Sequence, residues 1–327
     1  MKDVAALASV SLWTVSNAFS HPEKVASSTR ERVLGAAAAL GYAGPNPLAR
    51  SLASGRTGVV ALVAAGAAEP LLADPSAGLV ARGLVHACDR AGVSVLLTGR
   101  PDGAAVDGWV LLRDASAAPG LQGPVVSVDA APQTGVSAVG ADVAAGAAEA
   151  ARLLAGLGHR RLAILSWPGA GERLEGARRG WGDAGPVEVF VAGTPEGFHG
   201  RPAGRAQEDR AVGPVRGDGV EAARVVAGRA PRATAILALS DALAIGALEA
   251  VRWMGLRVPE DISIAGIDDL PESAGLHLTT VFVPYRPMGE LAGAMLATLM
   301  EDGEAPAPAL MPTALSIRGT TGPPPAH

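Results

Sequence analysis

The chain has 327 residues, of which 49% are hydrophobic and 18% charged, and it carries a net charge of -5. This length and composition predict two or three domains and exclude both a small disulfide-stabilised scaffold and a wholly disordered chain. A single cysteine excludes an internal disulfide, six scattered histidines lack metal-ligand spacing, and no apolar run approaches the roughly 18 residues that cross a bilayer. We therefore expect a cytoplasmic protein with no metal site, no cofactor and no membrane segment.

The charge is distributed unevenly along the chain. Residues 1–57 carry six basic and three acidic side chains, a charge of +3, whereas the remaining 270 residues sum to -8. A basic segment on an acidic body is typical of a nucleic-acid contact attached to a larger domain, and it is also compatible with an ordinary solvated surface.

Three short helices are predicted in the first forty residues. The first begins at Lys2, the second follows a capping residue at Ser11, and the third opens with a capping box at 28–31 and ends at Gly41. Three helices in this length match a helix-turn-helix domain. The side chains expected to form its core are Val4, Leu7, Ala8, Val15, Ala18, Phe19, Val33, Leu34, Ala37 and Leu40.

The second helix is the expected reader of DNA, because the major groove admits one helix whose N-terminal residues meet the base edges. Asn17 can form two hydrogen bonds to adenine, and Leu12 or Trp13 can pack on a thymine methyl group. An exposed tryptophan can instead cover the domain's own core. The residues expected to face DNA are Ser11, Leu12, Trp13, Thr14, Ser16 and Asn17.

Residues 44–56 predict a short connecting helix that follows the capping residue Asn46 and ends at Gly55. A helix under about 12 residues is marginal in water, so we expect it to form only when it docks. Leu48 and Leu52 share one face, and a leucine inserted between base steps can kink DNA from the minor groove. Alternatively, Leu52 is buried against the core.

A signal peptide is an alternative interpretation of the first segment, because Lys2 precedes a moderately apolar stretch. The chain would then be a secreted solute-binding protein of a sugar transporter. Asp3 and the polar residues at 9, 11, 14, 16 and 17 argue against this interpretation.

From Gly58 onward, short apolar strands alternate with amphipathic helices. This alternation predicts an α/β fold of doubly wound parallel sheets in two lobes. Amphipathic helices are expected at 76–91, 143–156, 219–229 and 241–254. Strands are expected at 59–63, 93–97, 109–112, 125–128, 162–165, 187–191, 235–239, 262–267 and 280–283.

Polar residues that follow these strands are the candidate ligand contacts, because such sheets bind ligands at the carboxyl ends of their strands. Asp241 and Asp268 each follow a strand, and Arg173 lies in a loop-to-helix step. Carboxylates and a guanidinium suit a sugar or another polyhydroxylated or anionic small molecule. Helix capping by Ser240 and Asp241 is the alternative.

Catalytic motifs are absent from the sequence. Gly169 and Gly171 follow a predicted strand, but Leu174 stands at the sixth position of a dinucleotide-binding fingerprint. Neither a nucleophile elbow nor a phosphate loop occurs. We therefore expect a binding protein and not an enzyme.

Ordered motifs along nearly the whole chain resemble the LacI/GalR family of bacterial transcription regulators. In the first part they are Lys2-Asp3-Val4-Ala5, Val10-Ser11-x-x-Thr14-Val15-Ser16, Thr29-Arg30-Glu31-Arg32-Val33, Leu40-Gly41-Tyr42 and Pro45-Asn46-Pro47-Leu48-Ala49-Arg50-Ser51-Leu52. In the body they include Val106-Asp107-Gly108, Gly158-His159-Arg160-Arg161, Arg173-Leu174-Glu175-Gly176, Ser240-Asp241, Val258-Pro259-Glu260-Asp261 and Gly266-Ile267-Asp268-Asp269.

The resemblance implies a repressor that binds a pseudo-palindromic operator as a homodimer under the control of a sugar or related metabolite. It implies an effector domain similar to periplasmic sugar-binding proteins. By the same resemblance, DNA contacts extend to Asn46, Ala49, Arg50 and Leu52, and effector contacts are Asp74, Arg173, Asp241 and Asp268. Asn17 stands at a base-reading position where the family usually has arginine, so the operator sequence does not follow from the resemblance.

The expected organisation is a helix-turn-helix domain at 1–43, a hinge at 44–56, an effector and dimerisation domain at 57–320, and a disordered tail at 321–327. The eleven residues 98–108 replace a helix that the family usually has, so we expect a trimmed first lobe. A loop near the ligand site is expected at 193–218.

Overall fold

A computed structural model describes most of the chain. The chain divides into two compact units. The head unit comprises Met1–Val59 and Ala105–Asp107, and the body unit comprises Val60–Ala104 and Gly108–His327. None of the helices in the described ranges combines the length and apolar composition that a transmembrane segment needs. The described ranges are 1–20, 22–44, 55–64, 74–101, 103–113, 120–130, 135–191, 216–228 and 233–326.

The head unit contains the three expected helices. They are α1 (Lys2–Leu7), α2 (Leu12–Ser20) and α3 (Ser27–Ala39). The Phe19 and Tyr42 rings meet edge to face, 5.8 Å apart, beside the core that these helices enclose. That core consists of Val4, Ala5, Ala8, Val15, Ala18, Val33, Ala36 and Ala37.

Three core predictions for this unit are wrong, since Leu7, Leu34 and Leu40 are exposed. The expected capping box does not form either: α3 begins at Ser27, after Ala26, with no side-chain cap. The second half of α3 consists of small or apolar residues on every side of the helix, so hydrophobic periodicity does not define its buried face. Alanines pack against the core instead of the larger leucines.

The remaining elements form two α/β lobes, as the alternating pattern predicts. Their helices are α4 (Pro75–Ala91), α5 (Val143–Gly156), α6 (Gly171–Trp181), α7 (Arg216–Gly228), α8 (Asp241–Trp253), α9 (Pro271–Gly275) and α10 (Tyr285–Asp302). The strands are β1 (Val59–Ala64), β2 (Ser94–Thr98), β3 (Gly108–Leu112), β4 (Val125–Val128), β5 (Ser137–Ala141), β6 (Leu162–Ser166), β7 (Val187–Val191), β8 (Ala235–Ala238), β9 (Ser263–Asp268), β10 (Thr279–Phe282), β11 (Ala309–Met311) and β12 (Ala314–Ser316).

Two six-stranded sheets organise the lobes. The first has the order β11-β5-β4-β3-β1-β2, and the second has the order β12-β10-β9-β8-β6-β7. Strands β1, β3, β4, β5 and β11 pair in parallel, as do β7, β6, β8, β9 and β10, whereas β12 joins β10 antiparallel. Helix α5 packs on the second sheet and α10 on the first, so the chain passes between the lobes repeatedly.

All nine predicted strands are present, each within one residue at either end, and β5, β11 and β12 were not predicted. Residues 99–107, apart from position 102, contain no helix, which agrees with the short connection in the first lobe. Most of the expected loop at 193–218 lies outside the described residues, and its last three residues begin α7.

The prediction of a disordered tail from residue 321 is wrong for its first residues. Gly322 donates its N–H to Ser263 Oγ (3.0 Å), and its carbonyl lies 2.9 Å from Nε2 of the buried His159. His159 Nδ1 lies 2.9 Å from Thr234 Oγ1. His159 is therefore a structural residue, and it anchors the tail.

Helices α4 and α10 pack so closely that a side chain does not fit at Gly289, where an added Cβ would overlap the Val80 carbonyl. Gly289 lies on α10; at Gly78, on α4, no described atom lies within 4 Å of an added Cβ. We expect Gly289→Ala to lower the free energy of unfolding by about 1 to 3 kcal/mol. Gly78→Ala should raise it by about 0.5 to 1 kcal/mol. Urea denaturation of both variants measures the difference, and equal effects would contradict the close packing.

Candidate functional site

The start of α2 has the features expected of a DNA-reading helix. Ser11 Oγ accepts a hydrogen bond from the Thr14 N–H (3.0 Å), which confirms the predicted cap. Leu12 and Trp13 are 45% and 67% exposed, so two adjacent apolar side chains project from the first turn. Their position leaves both free to contact a partner molecule.

Asn17 does not face outward as predicted. It is only 7% exposed, and its Nδ2 has no hydrogen-bond partner among the described residues. Asn17 is adjacent to Ala18 in the buried half of α2. Because three helices pack closely here, they bury a wider face of α2 than its apolar stripe alone. Leaving a buried donor unpaired lowers the stability of the fold by roughly 1 to 3 kcal/mol. A rearrangement of the helix that gives this amide an acceptor would recover that free energy.

The predicted hinge contacts Asn46, Ala49, Arg50 and Leu52 lie outside the described residues.

Arg173, at the start of α6, forms a buried trio of side chains with Asp268 and Tyr285. Its Nη1 donates to Asp268 Oδ1 (2.8 Å) and to the Leu239 carbonyl (2.6 Å), and its Nη2 donates to the Tyr285 hydroxyl (2.8 Å). That hydroxyl in turn donates to Asp268 Oδ1 (2.7 Å). One hydroxyl therefore bridges the guanidinium and the carboxylate at the end of β9.

Arg113, directly after β3 in the first lobe, forms a second trio with Asp74 and Asp129. Arg113 Nη1 forms an ion pair with Asp74, and its Nε donates to Asp129 Oδ2 (3.2 Å). Asp74 also caps α4 by accepting the Ser76 N–H (2.9 Å). Burial alone would raise the pKa of Asp74, but the charge and hydrogen bonds of Arg113 hold it below its usual value.

The two trios act on one another electrostatically. Burial by itself would lower the pKa of Arg173, but Tyr285, Asp268 and also Asp129 raise it above the usual arginine value. Burial raises the pKa of Tyr285, which both arginines oppose. We refer to the six residues as the polar cluster: Asp74, Arg113, Asp129, Arg173, Asp268 and Tyr285.

Several residues of this region have positive φ angles, which are rare for residues other than glycine. Arg113, Asp129, Asp268 and Asp269 have φ angles of 64°, 54°, 134° and 52°. Such conformations cost free energy and concentrate at functional sites, where the surrounding structure holds them in place. All four residues end or follow strands, which is where α/β sheets bind ligands.

Sequence reasoning identified three members of the polar cluster and missed three. Arg113 and Asp129 directly follow strands that were predicted correctly, so the rule applied to Asp268 would have found them. Tyr285 begins α10, and no sequence signal connects it to Arg173, 112 residues away.

Asp241 lies beneath the cluster and not within it. Its carboxylate is completely buried and accepts hydrogen bonds from the Leu270 N–H (2.9 Å), Ser273 and Thr280. Its backbone N–H donates to Asp268 Oδ2 (3.3 Å). This geometry does not favour a direct ligand contact for Asp241 and instead makes it a support for Asp268. Ser240 Oγ caps α8 by accepting the Leu243 N–H (3.3 Å), which agrees with the capping alternative for this residue.

Burial and the nearby charge of Asp268 raise the pKa of Asp241 from 3.8 to about 7. The folded state therefore binds a proton more tightly than the unfolded state, and Asp241 should contribute a loss of stability as the pH rises from about 4 to about 7. The loss is at most about 4 kcal/mol for a shift of this size. Asp241→Asn should remove this contribution, which urea denaturation at pH 5 and pH 8 measures. Parallel pH dependence in wild type and variant would contradict the assignment.

The fold and cluster together define a class of protein: a two-lobed binding domain with a polar site at its strand ends, attached to a helix-turn-helix unit. Residues 151–321 match the periplasmic binding protein-like domain, and residues 1–46 match the lacI family of bacterial regulatory proteins. The chain belongs to the LacI family and is a ligand-responsive, DNA-binding transcriptional regulator. The helix-turn-helix match also overturns the signal-peptide alternative.

Individual relatives agree with this assignment. The HTH-type transcriptional regulator Rv3575c of Mycobacterium tuberculosis is 34% identical over 358 residues, covering 100% of this chain and 97% of the relative. The structure of a complex of the regulator CelR with cellobiose is 27% identical, with a TM-score of 0.64 and 98% of each chain covered. The lac repressor dimer bound to its operator is 24% identical over 98% of each chain, and its TM-score of 0.77 shows that the fold is shared.

Proposed function

We propose that this chain is a cytoplasmic repressor that binds a pseudo-palindromic operator as a homodimer and responds to a neutral sugar. The effector binds at the polar cluster, and the head unit reads each operator half-site. The bound cellobiose of the CelR structure supports a sugar effector, because that chain is similar along nearly its whole length.

The observation that carries the effector proposal is the Tyr285 hydroxyl, which accepts from Arg173 (2.8 Å) and donates to Asp268 (2.7 Å). A sugar hydroxyl makes the same pair of bonds when it binds between a guanidinium and a carboxylate. Trp167 adds an aromatic surface beside this pair, with the Arg173 guanidinium 5.4 Å from the ring centroid. We infer that Arg173, Asp268 and Asp74 contact the effector, supported from below by Asp241.

The charges of the polar cluster favour a neutral effector over an anionic one. Arg173 is paired with Asp268, and Arg113 is paired with both Asp74 and Asp129. Two cations thus face three carboxylates, and neither guanidinium lacks a counter-charge. A phosphate or carboxylate would have to break one of these buried pairs, which is costly.

The DNA contacts we propose are those of the exposed first turn of α2 together with the hinge. Leu12 and Trp13 reach base edges, while Ser11, Thr14 and Ser16 bond to phosphates or bases. Asn17 would join them only by leaving its buried position. In a symmetric dimer, two such helices read half-sites about one helical turn apart.

Binding of the effector would change the affinity for the operator through the relative closure of the two lobes. Coupling of about 1 to 3 kcal/mol would change operator affinity roughly 5- to 150-fold. No enzymatic step is part of this proposal.

Leu52→Ala should weaken binding to the operator more than binding to random duplex, because an inserted leucine acts only where the DNA is kinked. We expect a loss of about tenfold or more on the operator. Competition binding with operator and scrambled duplex measures both affinities. Equal losses on the two duplexes, or no loss, would remove the insertion role.

The proposal as a whole is tested by selecting bound fragments from the genomic DNA of the source organism, alone and with a panel of small molecules. The panel contains cellobiose, ribose, glucose and glucose 6-phosphate. We expect enriched pseudo-palindromic sites whose recovery changes with a neutral sugar. A response to glucose 6-phosphate alone would contradict the neutral effector, and no enriched site would contradict operator binding.

A further inference from the structure

Asp107, immediately before β3, holds the segment of chain that leads from the helices of the head unit into β1. Its Oδ1 accepts from the Thr57 N–H (2.6 Å) and the Thr57 hydroxyl (2.9 Å), and its Oδ2 accepts from the Gly58 N–H (2.8 Å). Its own N–H donates to the Val59 carbonyl (2.7 Å). One carboxylate thus fixes two consecutive residues through three charge-assisted hydrogen bonds, which are the stronger kind.

Arg113 stands at the opposite end of the same strand, directly after Leu112. Its guanidinium bonds to Asp74, Ser76 and Asp129, and its N–H donates to the Val128 carbonyl (2.8 Å). The position of Arg113 is therefore tied to two carboxylates of the polar cluster.

Strand β3 joins these two anchored ends, and it is held in the sheet by pairing with β1 on one side and β4 on the other. All five of its residues are buried. At Gly108, an added Cβ would lie only 3.0 Å from the Leu296 side chain. About 20 Å separate the two ends of such a strand, and close-packed interiors transmit displacements over this distance instead of absorbing them.

We propose that β3 couples the polar cluster to the head unit, with Arg113 and Asp107 as positioning residues at its two ends. The inference rests on the proposed function, because it assumes an effector at the cluster and an operator at the head unit. An effector hydroxyl that bonds to Asp74 or Asp129 shifts the carboxylate within its ion pair with Arg113 and so alters the anchor of β3. Asp107 carries that change to Thr57 and Gly58, where the chain enters β1.

A double-mutant cycle on operator affinity tests this coupling without any small molecule. Arg113→Gln removes the charge that binds both carboxylates, and Thr57→Val removes the hydroxyl bond to Asp107 while keeping the size of the side chain. Arg318→Gln is the matched control. Its ion pair with Asp269 is 23% and 15% exposed, close to the 26% and 12% of the Arg113 pair with Asp74, but it lies away from β3.

Affinities are measured by fluorescence anisotropy on an operator fragment obtained from the genomic selection. We expect Arg113→Gln combined with Thr57→Val to differ at least fivefold from the product of the single effects. Arg318→Gln with Thr57→Val should equal the product within twofold. Thr57→Ser, which keeps the hydroxyl, should behave as wild type, whereas a purely structural role would give multiplicative effects in both pairs.

Multiplicative behaviour of the Arg113 pair would overturn the coupling. If Arg113→Gln does not fold, as judged by circular dichroism, Asp74→Asn replaces it in the same cycle with the same expected result. Absence of any response to the sugar panel would count against the proposed effector only, because the cycle contains no sugar.

Discussion

Asp268→Asn should abolish the response to the sugar while leaving operator binding without sugar unchanged. Asparagine keeps the size of the side chain but removes the charge that pairs with Arg173 at 2.8 Å, and it replaces one of the two oxygen acceptors with an amide donor. Sites built around such buried polar pairs discriminate strongly, so we expect sugar affinity to fall by about 100-fold or more. Calorimetric titration with the sugar that shifts wild-type operator binding measures the loss.

The control for this variant is the adjacent carboxylate. Asp269 pairs with Arg318 (2.7 Å) and accepts a hydrogen bond from Ser316 (3.1 Å), so it belongs to a separate structural contact. Asp269→Asn makes the same chemical change one residue away and should leave sugar affinity within about twofold. A normal sugar response in Asp268→Asn would discard the effector site, whatever the behaviour of the control.

Trp13→Ala should reduce operator affinity by about 5- to 150-fold, the range expected when a base contact worth about 1 to 3 kcal/mol is lost. Trp13 is 67% exposed, so removal of its ring should change the free energy of unfolding by less than about 0.5 kcal/mol. Binding to a scrambled duplex should change much less, because phosphate contacts dominate there.

Leu7→Ala supplies the comparison, since Leu7 is also apolar and 57% exposed but lies on α1. It should leave both affinities unchanged. Competition anisotropy with operator and scrambled duplex measures the ratio. If Trp13→Ala weakened both duplexes equally, Trp13 would not contribute to sequence recognition.

The strands of the two lobes were predictable because buried parallel strands are continuous apolar runs between helices. The strand Val59–Ala64 is apolar throughout and buried from Val60 onward, and its predicted bounds differ from the structure by one residue. Strand β5 contains serine, glycine and alanine, and β11 and β12 have three residues each, so neither composition nor length marks them.

The errors in the head unit have a different origin. Leu34 and Leu40 are apolar residues that the unit leaves exposed, while the polar Asn17 is buried. A small unit closed by alanines has too little core to enclose every large apolar side chain. Periodicity assigns faces by hydrophobicity alone and therefore cannot resolve these three positions.

Half of the polar cluster was identified from the sequence, by considering each strand end separately and from the family resemblance. Asp268 and Arg173 were identified as separate candidates, and the structure joins them in one ion pair (2.8 Å). The contribution of Tyr285 depends on how α10 returns to the site after β10, which is a tertiary relation without a local signal. The same holds for Asp107 and Thr57, fifty residues apart.

Operator specificity and its change with sugar can be measured together on the purified, intact protein. The titration compares a selected operator with random competitor duplex at fixed salt, because nucleic-acid affinities depend steeply on ionic strength. We predict a preference of about 1,000-fold or more for the operator, altered about 5- to 150-fold by a neutral sugar. Equal affinity for operator and random duplex, with and without every sugar in the panel, would contradict the assignment of this chain's function.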